Sequence, residues 1–189
     1  MQWLPRLKIF RNPLGGFAFK AEDRGVLLHF CLEHLRITGH AEEDARAALL
    51  FGLRHFPLPV PDDAALRQSL TEALAWFAAQ PEAARWLERG WPEQSLMDGQ
   101  GHVLRMDLLV RETWGPLVID YKSGQPQAQH ILQVRRYLDC LEQCGDYRGT
   151  ARALLVYLDQ RRFQLVEADK VSGLCETCDA LLPAAGDKI

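Results

Sequence analysis

The stretch Met106–Ser123, MDLLVRETWGPLVIDYKS, constrains the fold more than any other part of the chain. Two apolar runs flank a short turn region containing Gly115 and Pro116, and each run is interrupted by one carboxylate, Asp107 or Asp120. The second run ends Ile119-Asp120-Tyr121-Lys122. A charge inside an apolar strand is costly unless it is paired or binds a metal. Alternate strand residues share a face, so Asp120 and Lys122 point one way and Leu117, Ile119 and Tyr121 the other. On the preceding strand the same alternation predicts an apolar face of Leu104, Met106, Leu108 and Val110, with Asp107 opposite. A hairpin symmetric about Thr113 and Trp114 sets Asp107 directly across from Asp120, with Cβ atoms roughly 4.5–5.5 Å apart. Carboxylates that close repel unless a cation lies between them. Oxygen ligands of this kind suit Mg²⁺, which takes one or two carboxylates together with waters and substrate phosphate oxygens.

These residues carry a resemblance. The pattern D-x12-D-x-K resembles the active site of the PD-(D/E)xK nuclease superfamily. The segment IDYKSG, followed by Gln133 and Tyr137 as Q-x-x-x-Y, is similar to the RecB-type nuclease domain at the C-terminus of RecB and AddA helicase-nucleases. The resemblance implies an α/β fold: a restriction-endonuclease-like core with a central mixed sheet of four to five strands flanked by helices, here with a helical insert. It also implies catalytic residues Asp107, Asp120 and Lys122, and a Mg²⁺ or Mn²⁺ ion held by Asp107, Asp120, the Tyr121 carbonyl and His29. Gly25 and His29 match the family's first motif; imidazole suits Mn²⁺ better than Mg²⁺. Gln133 is expected to bond the lysine or the scissile phosphate, and Tyr137 the DNA backbone. Glu93 matches a glutamate often found at the start of the family's first strand, although a tight hairpin register sets it opposite Met106, on the wrong face.

The implied activity is metal-dependent hydrolysis of DNA phosphodiesters, leaving 5′-phosphate and 3′-hydroxyl ends. The implied setting is an exonuclease domain of a helicase-nuclease in recombinational DNA repair. Its partners would be single-stranded DNA and a helicase motor in the same parent chain or a complex. The alternative is a nuclease fold kept without catalysis, for binding DNA or a partner; a third reading is a small enzyme acting on another phosphoester.

Length and composition agree with one domain of 189 residues, 48% hydrophobic and 25% charged. The expected layout is an irregular lead-in over 1–23, a helical part over 24–90 and a sheet core over 91–189. The lead-in reads either as a segment packed on the domain or as a linker, the second implying a chain excised from a larger protein. No run reaches the about 20 apolar residues of a membrane span, and no signal-peptide core opens the chain. Five cysteines without a framework spacing point to a reducing cytoplasm. A net charge of −3 argues against electrostatic coating of nucleic acid. It leaves room for a local basic groove, with Arg105, Arg111, Arg135, Arg136, Arg161 and Arg162 as candidates. Cys175-x-x-Cys178 has no third cysteine after it, so the iron–sulfur cluster of some relatives is not expected. No P-loop or G-x-S-x-G elbow occurs.

Helices are expected over 24–38, 41–56 and 62–89, the last capped by Asp62. The catalytic strands are preceded by a strand from Trp91. A helix over 127–144 buries Ile131, Val134, Leu138 and Leu141 and carries His130, Gln133 and Tyr137 on the next stripe. Strands over 150–158 and 163–166 and an amphipathic helix over 171–182 complete the expectation. Trp76, Phe77, Trp86 and Leu87 read as packing residues.

Overall fold

The computed structural model describes residues 19–145, 149–177 and Leu182. Four helices come first: α1 (Ala21–Glu33), α2 (Ala41–His55), α3 (Ala64–Ala78) and α4 (Ala83–Arg89). Strands β1 (Trp91–Met97), β2 (Val103–Glu112) and β3 (Gly115–Lys122) follow. Helix α5 (Ala128–Cys144) leads to β4 (Arg152–Tyr157) and β5 (Arg162–Val166). The strands form one sheet in the order β1-β2-β3-β4-β5. β3 and β4 are parallel and the other neighbours antiparallel. Parallel neighbours need a crossover, and α5 supplies it. The fold is therefore the expected α/β one, a mixed five-stranded sheet with helices on both faces.

The sheet has two apolar faces. On one, Leu117, Ile119, Tyr121, Leu154 and Val156 pack with Leu27, Leu28, Cys31 and Leu32 of α1 and with Leu70, Leu74, Phe77 and Trp86 of α3 and α4. On the other, Val118, Leu155 and Tyr157 pack with Val134, Leu138 and Leu141 of α5. Each large side chain buried this way contributes about 1.5–3 kcal/mol. The buried packing roles expected of Phe77 and Trp86 are observed. Gly52 lets α2 approach α1 closely: a Cβ there would lie 2.4 Å from Cys31 Sγ.

Several expectations are corrected. Helix α1 starts at Ala21, inside the expected lead-in, and ends at Glu33; residues 1–18 lie outside the described residues. The expected 62–89 helix is two, α3 and α4, interrupted around Pro81, which has no N–H to give an intrahelical bond. Its N-cap is Asp63, whose carboxylate accepts from the N–H groups of Ala65 and Leu66; Asp62 instead pairs with Arg67 at 2.9 Å. Val171 and Cys175 make isolated bridges to Val166 and Phe163, so 171–177 is not helical. Residues 178–181, with Cys178, lie outside the described residues.

The most informative correction concerns β2. Leu104 and Met106 pack with α5, whereas Leu108 and Val110 pack with α1–α4. The strand changes sides at Asp107. No helix among the described residues is long and apolar enough to cross a membrane.

Candidate active site

The β2–β3 ladder pairs Glu112 with Gly115 and ends at Leu108 and Ile119. This is the register expected from the symmetric hairpin, and Asp107 and Asp120 are the next residues on the two strands. The ladder stops there for a visible reason. Asp107 Oδ2 accepts the Tyr121 N–H at 2.7 Å, replacing a strand carbonyl with a carboxylate.

Asp120 follows Val118 on the α5 side of β3 and is 1% exposed. Lys122 Nζ lies 2.6 Å from Asp120 Oδ2. Its approach is off the hydrogen-bond line, so this buried oxygen has no aligned donor. Burial, reinforced by the charge of Asp107, pushes the Asp120 carboxyl up to about 6, against the opposing pull of Lys122 and His29.

Helix α5 completes the lysine's environment. Lys122 Nζ donates to Gln133 Oε1 at 2.9 Å. An ammonium only donates, which orients the amide with its oxygen toward the lysine. Gln133 Nε2 then donates to the Tyr137 hydroxyl at 2.6 Å, and that hydroxyl donates to the Arg105 carbonyl at 2.8 Å. Burial, with the charge of Asp120, pushes the Tyr137 phenol up to about 12. Tyr137, expected at the DNA backbone, meets Gln133 and the Arg105 carbonyl in this structure. Its hydroxyl is buried and committed, and it holds Gln133 in place. His130, one turn earlier, packs against Tyr157.

Helix α1 brings the other side. His29 Nδ1 is 3.4 Å from Asp107 Oδ1. Burial is the largest influence on the imidazole and lowers its pKa. The bond to Asp107 and the charges of Asp107 and Asp120 together outweigh it, so the net shift is upward. Gly25, one turn earlier, faces the loop after Lys122: a Cβ would lie 2.9 Å from Ser123 Oγ. Arg24 grips both oxygens of Asp159, at 2.7 and 2.9 Å, and Asp159 accepts the Gly124 N–H at 2.9 Å. This tie between α1, the loop after β3 and the β4–β5 turn was missed by sequence reasoning. The only signal for it is the acidic residue in the turn Asp159-Gln160-Arg161.

Glu93 is relocated. Gln94, not Glu93, pairs with Met106, so Glu93 stands across from Asp107. It has φ 55, rare for a residue with a side chain. Its carboxylate ion-pairs with Arg105. Glu93, Arg105, His29 and Asp107 line one cleft of about 490 Å³. Strain of this kind concentrates at functional sites. Of the candidate groove arginines, Arg105 reaches this cleft. Arg161 and Arg162 ion-pair with Glu72 and Glu176, Arg111 lies over the Trp91 ring, and Arg136 lines a separate groove at the hairpin tip.

A sequence profile of the PD-(D/E)XK nuclease superfamily matches residues 4–182. The chain belongs to this superfamily. No curated protein matches the chain at a significant level. PD-(D/E)XK proteins are generally nucleases and typically use divalent metals. Among the described residues no three His, Cys, Asp or Glu side chains converge as a complete ligand set. The residues present still fit a hard cation. Two carboxylates, one with a buried oxygen lacking an aligned donor, leave the remaining positions to main-chain oxygen, water and substrate, as Mg²⁺ prefers.

Proposed function

We propose that this PD-(D/E)XK protein is a divalent-metal-dependent nuclease that hydrolyses DNA phosphodiester bonds. The reading extends to an exonuclease domain of a RecB/AddA-like helicase-nuclease acting in recombinational repair. Its partners are then single-stranded DNA and a helicase motor. The observation that carries the activity is the convergence of Asp107, Asp120 and Lys122 where the β2–β3 ladder ends, with Asp120 buried and its Oδ2 poorly satisfied. The Gln133–Tyr137 pair behind Lys122 supports the finer RecB-type reading.

Asp107, Asp120 and the Tyr121 carbonyl would hold the cation, with His29 against Asp107. When bound, a divalent cation supplies Lewis-acid stabilisation of phosphate charge and lowers the pKa of water. The remaining work belongs to the chain. Lys122, fixed between Asp120 Oδ2 and Gln133 Oε1, presents a positioned ammonium to the phosphate and to an attacking water. Such preorganised charge acts without reorganisation during the reaction. His29 braces Asp107 from the cleft side and, with Tyr121 N–H on the other oxygen, fixes the carboxylate's orientation.

Titration calorimetry tests the site directly. The wild type should bind Mn²⁺ and Asp107→Asn should not; unchanged binding overturns the metal assignment. Lys122→Ala should retain Mn²⁺ binding and the wild-type melting profile while losing Mg²⁺-dependent cleavage of single-stranded DNA. Undiminished cleavage by that purified variant removes the catalytic role of the lysine.

A further inference from the structure

We propose that Arg24 and Asp159 are positioning residues: their ion pair fixes α1 against the end of β3, and so holds Lys122 at Asp120 and His29 at Asp107. The reaction this strut serves rests on the nuclease reading above; the strut itself rests on geometry.

Lys122 is the last residue of β3, and the chain that follows it has backbone freedom to lose. Gly124 has φ 86, a conformation glycine adopts readily, and glycine is the residue with the most such freedom. Three contacts hold this segment. The Leu158 N–H donates to the Lys122 carbonyl at 3.0 Å. The Gly124 N–H donates to Asp159 Oδ2 at 2.9 Å. From the other side Gly25 of α1 abuts Ser123, where a Cβ would lie 2.9 Å from Oγ. Leu158 and Asp159 follow Tyr157, which pairs with Lys122. They carry the hold of β4 on β3 past the last paired residues.

Arg24 carries that hold to α1. Its Nη1 donates to Asp159 Oδ2 at 2.9 Å and its Nη2 to Oδ1 at 2.7 Å. A bidentate guanidinium–carboxylate pair fixes direction as well as distance. Asp159 Oδ2 is shared by Arg24 and the Gly124 N–H, so one oxygen joins the helix to the loop. Gly25 and His29 are four apart and share a helix face. The placement of α1 that seats Gly25 on Ser123 therefore also seats His29 3.4 Å from Asp107, and a slide of the helix would displace both. The turn bearing Asp159 is itself tied down. Arg161 has φ 53, where glycine is the usual residue, and its side chain pairs with Glu72 of α3 at 2.9 Å. The core does not need the strut, because α1 already buries Leu27, Leu28, Cys31 and Leu32. Apolar burial is non-directional; the ion pair adds the direction.

The test measures kcat and KM for Mg²⁺-dependent cleavage of single-stranded DNA by the full chain, with thermal melts and hydrogen exchange at the Gly124 amide. Asp159→Ala should lower kcat about 10- to 100-fold with KM unchanged. It should also speed exchange at Gly124 and leave melting cooperative. Arg24→Ala should act in the same direction. The double variant should be no slower than Asp159→Ala alone, because Arg24 acts through Asp159. Asp159→Asn keeps an oxygen for Gly124 but no charge for Arg24; its kcat should lie between, and it carries the test if the alanine variant fails to fold. A kcat in Asp159→Ala within about twofold of the wild type, a change confined to KM, or losses that add in the double variant overturn the role. So does a slower turnover that always accompanies loss of cooperative melting. A wild type without cleavage overturns the nuclease reading and this role with it, whereas an active wild type matched by Asp159→Ala overturns this role alone.

Discussion

The two sides of the site are built differently. On the α5 side, Lys122, Gln133, Tyr137 and the Arg105 carbonyl form one directed chain of hydrogen bonds, each donor with one acceptor and the tyrosine buried. On the α1 side, His29 makes a long 3.4 Å contact to Asp107, and Glu93 sits in a left-handed conformation beside an open cleft. The closed side holds the lysine in one place. The open side leaves room for a phosphate and the strand attached to it. Catalytic charge is best preorganised where nothing has to enter, and adaptable contacts belong where something does.

Four measurements would break or sharpen that contrast. The largest effect is expected at the junction of the two sides. Asp120→Ala should lower single-turnover cleavage about a thousandfold or more. A mutant within tenfold of the wild type in rate would remove Asp120 from the chemistry.

Next comes the closed side. Gln133→Ala should lower kcat about 10- to 100-fold with little change in KM, as expected for loss of a group that orients a catalytic side chain. Tyr137→Phe should act in the same direction and also cost about 1–3 kcal/mol of stability, because the Arg105 carbonyl loses its donor. An effect on KM alone would assign Tyr137 to DNA contact rather than to holding Gln133.

A smaller and opposite effect is expected on the open side. Glu93→Gly should raise stability by about 1 kcal/mol by relieving the left-handed backbone, while lowering activity. Thermal melting reads the first and cleavage the second. A destabilised variant would mean that the ion pair to Arg105 outweighs the strain.

The smallest effect lies behind the open side, at the α1–α2 connection. Burial raises the pKa of Asp44, but hydrogen bonds from Thr38 N at 2.8 Å and Oγ1 at 2.7 Å outweigh it, so the carboxyl is held below its ordinary value. The unfolded chain then binds the extra proton more readily, and stability rises with pH. This contribution is fully present above about pH 4 and is lost as pH falls through the lowered value. Denaturant melts should show a shallower acid loss for Asp44→Asn than for the wild type. Equal slopes would remove Asp44 as the source.

Much of this was legible in the residues. The alternation in Leu117–Lys122 specified which side chains meet which helix layer, because a strand has a period of two and a helix-covered sheet buries both faces. The ladder from Glu112 and Gly115 to Leu108 and Ile119 follows from the two-residue Thr113–Trp114 turn. The α5 stripe of Val134, Leu138 and Leu141 followed from helical spacing. What failed did so where a local pattern met a side chain acting on the backbone. Asp107 takes the Tyr121 N–H and ends the ladder, and β2 changes sides there, which no alternation rule anticipates. Between Met97 and Val103 the five-residue connection sets the β1–β2 register one residue away from that of a tight hairpin, moving Glu93 from opposite Met106 to opposite Asp107. Over 171–177, the periodicity that looked helical is instead met by bridges to β5.

By itself the sequence determined the chemistry available and the two strands that carry it, because the cost of burying Asp107, Asp120 and Lys122 leaves few arrangements other than a shared polar site. Only the tertiary structure decided which partner each one takes. That outcome depends on residues far apart in the chain, His29, Glu93, Gln133 and Tyr137, whose meeting is set by how α1, β1 and α5 pack on the sheet rather than by any local preference.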